Sequence, residues 1–140
     1  VPHDVGRDPF PGVCPFHGDC LEGLASGPAM ARRWGVPAEE LPAGHPAWEL
    51  EASYLAELAA QLVCTLSPHR IVLGGGVMAG PGLFPLLRRE TARLLAGYIA
   101  SPAVGKEIDS YLVPPGLGDN AGRLGALALA QAVTSTASPR

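Results

Sequence analysis

"RIVLGGGVM", residues 70–78, is the stretch on which the fold turns. Ile71, Val72 and Leu73 form a short apolar run, and two of the three are β-branched. Such a run, broken at once by glycines, reads as a buried strand rather than a helix segment. Gly74, Gly75 and Gly76 then allow a tight turn. Upstream lies the clearest helix of the chain, "AWELEASYLAELAAQLVCTLSP", residues 47–68. Trp48, Leu55, Leu58, Leu62 and Leu66 recur at helical spacing, and Leu58, Ala59, Leu62 and Val63 widen the stripe into a face predicted to be fully buried. Cys64, beside that stripe, is predicted to be a core residue. Pro68 stops the helix.

Downstream, a helix is predicted over 82–95, with Leu83, Leu86, Leu87, Leu94 and Leu95 apolar. "IDSYLVPP", residues 108–115, alternates and reads as a second strand. "GLGDNAGRLGALALAQAV", residues 116–133, reads as a glycine-rich turn opening a small-residue helix, and the tail 134–140 as frayed. Towards the N-terminus, Ser26 caps a helix with Pro28 in its first turn, and Gly35 ends it. Residues 36–47 read as a surface connection and residues 1–20 as loop. The order helix, strand, helix, strand, helix indicates an α/β architecture. Two strands alone leave unpaired edges, so further strands are expected from an upstream segment or another chain.

The 140 residues are enough for one domain, and 47% hydrophobic with 16% charged residues is a globular composition. A net charge of −3 argues against a nucleic-acid surface. The pairs Arg32-Arg33 and Arg88-Arg89 read as solvated helix flanks. No apolar run is long enough to span a bilayer. The sequence carries no start methionine and no signal-peptide pattern. Three cysteines, an odd number, fit a reduced, cytoplasmic protein with a metal site better than a disulfide framework.

That metal site would lie in "CPFHGDCLEGLASGPAM", residues 14–30. Cys14, His17 and Cys20 are spaced C-x2-H-x2-C. Thiolate and imidazole are the ligands that zinc takes in closed structural sites. Gly12 and Gly18 relax the backbone enough for the loop to fold round one ion. Three donors leave a fourth to find, and His3 is the one upstream candidate in the chain. The competing reading is a surface loop with free thiols. Two further features also have two readings. Glu22 suits either a polyhydroxylated ligand or the positive end of a helix. Gly116, Leu117, Gly118, Asp119 and Asn120 suit either a nucleotide approaching a helix N-terminus or an ordinary strand-to-helix turn capped by Asp119 or Asn120.

"GVCPFHGDCLEGLASGPA" resembles the zinc-binding signature of the ROK family of sugar kinases and repressors, in the form of its bacterial fructokinase branch. "SPHRIVLGGGVM" is similar to the family's adenosine-side strand and glycine turn, and "VPPGLGDNAGRLGALALA" to its closing nucleotide turn and last helix. Order and spacing agree over nearly the whole chain.

The resemblance implies an α/β chain that is part of the C-terminal lobe of an actin/hexokinase-like (ribonuclease H-like) ATPase fold. Residues 1–25 would be the zinc loop, and residues 26–135 an α/β portion with the nucleotide-side turns. It implies a structural zinc on Cys14, His17 and Cys20. The fourth ligand would be a histidine upstream of Val1, with His3 the weaker candidate. Glu22 would bind the sugar, and Pro68, Gly116, Leu117, Gly118, Asp119 and Asn120 the nucleotide. The activity implied is phosphoryl transfer from ATP, with Mg2+, to the 6-hydroxyl of D-fructose, in a cytoplasmic homodimer. The alternatives are a glucose, mannose or amino-sugar kinase, or the sugar-sensing or oligomerisation lobe of a repressor. The family's D-x-G-G-T strand and general-base aspartate are not in these 140 residues. The chain is therefore expected to be a C-terminal portion, inactive alone.

Overall fold

The structure, a computed structural model, describes residues 1–136; residues 137–140 of the tail read as frayed lie outside the described residues. In chain order the helices are α1 (Leu21–Leu24), α2 (Gly27–Trp34), α3 (Pro46–Leu66), α4 (Leu83–Leu95), α5 (Ile108–Tyr111) and α6 (Ala121–Thr136). Strand β1 (Ile71–Val72) lies between α3 and α4, and β2 (Leu112–Val113) between α5 and α6. The two strands pair in parallel, with Ile71 opposite Leu112 and Val72 opposite Val113. The connection between them passes through α4, as a parallel pair requires.

The caps follow the sequence. Ser26 accepts a hydrogen bond from the Ala29 amide at the start of α2, and Gly35 closes that helix in the left-handed conformation. His45 caps α3 through the Ala47 amide, with Pro46 at the first helical position.

Helix α3 packs along α4. Its buried residues there are small ones, Ala52, Ala56, Ala59 and Val63, set against Leu83, Leu87 and Leu95. The leucine stripe was expected to be the buried face, and it is not. Leu55, Leu58 and Leu62 are half-buried and Leu66 is exposed. Small side chains let the two helices approach, so the alanine row and Val63 take the centre of the contact, while Leu55 and Leu62 pack at its edge and Leu66 faces outward. Cys64, expected in the core, is exposed for the same reason.

β1 is covered on one face only. Ile71 is buried while Val72 is 59% exposed. The second strand is shorter than the alternation of residues 108–113 predicts. Residues 108–111 form a helical turn, which buries Tyr111 and lets its hydroxyl donate to the Pro68 carbonyl at 2.8 Å.

The arginine pairs were read as solvated, yet one member of each is structural. Arg88 reaches from α4 to the Leu112 carbonyl through Nε at 3.0 Å and Nη2 at 2.8 Å, and to the Asp109 carbonyl at 3.0 Å. It therefore clamps α4 onto β2. Arg33 is discussed below.

A second cluster gathers Met30, Leu41, Ala47, Trp48, Ala52 and Leu83. Trp48 lies flat against Gly80, where a Cβ would fall 2.2 Å from the ring. Along α6, Leu124, Leu127, Leu129 and Val133 are exposed.

Candidate functional site

The Cys14–Cys20 loop closes on itself. The Cys14 and Gly18 backbones exchange two hydrogen bonds, at 3.2 and 2.9 Å, and the Val13 amide bonds to the Gly23 carbonyl. Three backbone positions have no room for a side chain or favour glycine. Gly12 has φ +81°, and a Cβ there would lie 2.1 Å from the Gly18 carbonyl oxygen. Gly18 has φ +63°. A Cβ on Gly23 would lie 1.9 Å from that same oxygen. Gly12 and Gly18 were legible in the sequence. Gly23 was not, because its constraint comes from a chain segment five residues away that folds over it.

The closure brings Cys14, His17 and Cys20 together, with their donor atoms all within 4.8 Å of one another. The Cys14 sulfur lies 3.7 Å from His17 Nδ1. Backbone hydrogen bonds at His17 and Phe16 hold the Cys14 thiol down to about 7, so thiolate is available near neutral pH. Two thiolates and an imidazole on a short closed loop suit zinc. Among the described residues these three form the group that meets metal-site geometry.

His3 is not among them. Its Nε2 lies 2.8 Å from the Asp8 carbonyl oxygen and its Nδ1 lies 3.1 Å from an Asp19 carboxylate oxygen. Asp8 presents a carbonyl and Asp19 a carboxylate, so each ring nitrogen already faces an acceptor and neither joins the Cys14, His17, Cys20 group. The Asp19 hydrogen bond raises the His3 pKa, and burial opposes it.

Beneath the loop lies a polar cluster that no local sequence signal announced. Arg33, in the last turn of α2, donates from Nη2 to Asp8 at 2.9 Å and from Nη1 to the Leu24 carbonyl at 2.9 Å. The Tyr54 hydroxyl of α3 donates to the same Asp8 oxygen at 2.6 Å. Asp8 and Tyr54 are each 4% exposed. Arg33 also stacks on Phe10, 4.4 Å from the ring centroid. Glu51, one turn before Tyr54, is 1% exposed and both its oxygens lack a hydrogen-bond partner among the described residues. Burial pushes its carboxyl up to about 7, against the opposing pull of the Arg33 charge. These partners sit up to 46 positions apart, so only the tertiary fold assembles them.

Glu22 stands exposed in the first turn of α1, directly after the loop.

The second group of candidate residues lies at the C-terminal ends of the parallel strands. The turn at residues 74–76 and the turn at residues 114–118 face one another across a cleft of about 560 Å3. Its lining is glycine, proline and apolar side chains, including Leu73, Met78 and Phe84, with Gly118, Ala121 and Gly122 at the start of α6. A Cβ on Gly74 would lie 2.7 Å from Pro115 Cγ, so the turns are in contact at the cleft floor. Gly116 and Leu117 are exposed beside it. Asn120 accepts from Arg123 on α6. Asp119 contributes backbone to the 3-10 turn Gly118–Asn120, and its side chain lies outside what the structure describes.

Pro68 is not in the cleft lining. It precedes β1 and so lies at the opposite end of the strand pair, lining a separate hollow of about 230 Å3 with Tyr111. No helix among the described residues is long and apolar enough to cross a membrane.

Several known proteins are similar to most of this chain. A putative fructokinase of Bacillus subtilis is 44% identical over 123 residues, covering 88% of this chain and 41% of that protein. A fructokinase of Pediococcus pentosaceus is 42% identical over 130 residues, covering 93% and 44%. A fructokinase of Zymomonas mobilis is 44% identical over 134 residues, covering 94% and 43%. The chain thus spans about two-fifths of the length of these relatives. The family model for ROK proteins matches residues 4–133, so the chain belongs to the ROK family.

Proposed function

We propose that this chain is a portion of an ATP-dependent sugar kinase of the fructokinase type, carrying the metal loop and the adenosine side of the nucleotide site. The observation that carries the reading is the cleft at the C-terminal ends of the parallel pair. Ligands of open α/β sheets bind at that end of the strands. Here two glycine turns open the cleft to backbone contact, and its apolar lining suits a base and ribose rather than a polyanion. Amide groups at the start of α6 and the helix dipole favour the phosphate side. The names of the relatives support fructose as the acceptor, with Mg2+ accompanying ATP.

Cys14, His17 and Cys20 would hold zinc, which supplies a structural cross-link when bound. Glu22, on the helix that leaves the loop, accepts hydrogen bonds from sugar hydroxyls. Phosphoryl transfer depends mainly on such positioning and on charge stabilisation. The group that accepts the hydroxyl proton is assigned to none of the carboxylates here. The 140-residue chain alone therefore binds nucleotide without turning over.

Calorimetric titration with ADP tests the cleft. Gly122 lines it, and a Cβ added there meets no neighbouring atom within 4 Å. Gly122→Leu should fill the cleft and remove ADP binding without loss of folding. Equal ADP affinity in the parent chain and Gly122→Leu would reject the assignment, as would no binding to either. A coupled ADP-release assay with fructose should show no turnover by the chain alone.

A further inference from the structure

The residues of the polar cluster under the loop do not line the cleft, yet the cluster touches the metal loop at two points. One is Asp19, the residue between Gly18 and Cys20, held by His3 at 3.1 Å. The other is Leu24, whose carbonyl accepts from Arg33 at 2.9 Å and whose amide bonds to the Cys20 carbonyl at 2.9 Å. Both lines converge on Asp8. It receives Arg33 and Tyr54 on its carboxylate, and its carbonyl receives His3. The convergence matters because the loop's own backbone bonds, Cys14 with Gly18 and the Asp19 amide to the His17 carbonyl at 2.8 Å, reach no further than Asp19. Cys20 lies beyond them. The His3 side chain is 6% exposed, whereas Asp19 is 54% exposed, so a buried ring holds a surface carboxylate.

We propose that His3 is a positioning residue of the metal loop. Seated on the buried Asp8–Arg33–Tyr54 cluster, it holds Asp19 and thereby fixes Cys20 relative to Cys14 and His17. This rests on the metal reading of the loop. Groups behind a metal's direct ligands orient them, and their loss weakens affinity by about 10- to 100-fold. A hydrogen bond from His3 to Asp19 therefore acts through backbone geometry and not as a ligand bond.

The test is a Co2+ titration of the reduced chain. It reads the thiolate-to-cobalt absorption and the visible bands of a tetrahedral site, and Zn2+ competition gives the zinc affinity. His3→Ala and Asp19→Ala should each weaken metal affinity about tenfold or more. The double variant should be no weaker than the poorer single, because both remove one interaction. Leu95→Ala, in the core at the end of α4, should lower the melting temperature and leave metal affinity unchanged.

Metal affinities of both single variants within about twofold of the parent overturn the proposal, as do losses that multiply in the double variant. Should His3→Ala not fold, Asp19→Ala at its exposed position carries the same test. A parent chain that gives no thiolate–cobalt absorption fails the metal reading itself. A parent that binds, with unaffected variants, removes only the positioning role.

Discussion

Glu51→Gln is the substitution whose effect follows most directly from the structure. The Glu51 carboxyl is buried in α3, its oxygens lack hydrogen-bond partners among the described residues, and the Arg33 charge offsets only part of the cost of that burial. Burial disfavours the ionised form, so the folded-state pKa stands at about 7 against an ordinary 4.5. A raised carboxyl means that the folded chain holds a proton the unfolded chain has released. The sign follows: with respect to this group, stability is full below pH 4.5, falls as pH rises through the window to about 7, and is level above it. The difference of about 2.5 corresponds to roughly 3 kcal/mol at 1.36 kcal/mol for each. That is a large share of a stability of about 5–15 kcal/mol.

Glutamine keeps the shape and removes the titration. Its buried amide also lacks partners, which adds a constant cost that does not depend on pH. The quantity to measure is therefore the stability difference between Glu51→Gln and the parent, from urea unfolding followed by tryptophan fluorescence at pH 5, 6, 7 and 8. Other titrating groups, His3 and Cys14 among them, cancel in that difference. It should move in favour of the variant by about 2.5 kcal/mol between pH 5 and pH 8, or about 8 °C in melting temperature. A difference flat to within about 0.5 kcal/mol across that range would refute the reasoning. It would mean that the folded chain solvates the Glu51 carboxylate.

Three other substitutions probe separate parts of the fold. Gly80→Ala drives a methyl into the Trp48 ring and should cost about 1–3 kcal/mol in urea unfolding, with a shift in tryptophan emission. Gly23→Ala places a Cβ against the Gly18 carbonyl and should abolish Co2+ binding, while far-UV circular dichroism stays within about a tenth of the parent. Arg88→Met removes three hydrogen bonds between α4 and the 109–112 segment and should destabilise by about 1.5–3 kcal/mol, with faster amide exchange at Leu73, whose N–H bonds to Val113 in β2.

The sequence by itself determined the parts whose physics is local. The strand-and-glycine run at 70–78, the cap at Ser26, the stop at Gly35 and the Cys14, His17, Cys20 spacing each depend on residues within a turn or two of one another. The caps and the spacing are found as read, while the strand shortens to Ile71–Val72 and leaves Val72 exposed. Which side of α3 is buried was not determined that way. Periodicity marks the leucines as apolar, but the contact with α4 was decided by how closely two helices approach over alanine. Local signals also could not show that Arg33 and Arg88 turn inward, because the carbonyls and the carboxylate that receive them come from distant segments. His3 shows the division most sharply. Read along the chain, it is a histidine near two cysteines. Only the fold places a carbonyl and a carboxylate against its two nitrogens, so that neither nitrogen joins the Cys14, His17, Cys20 group.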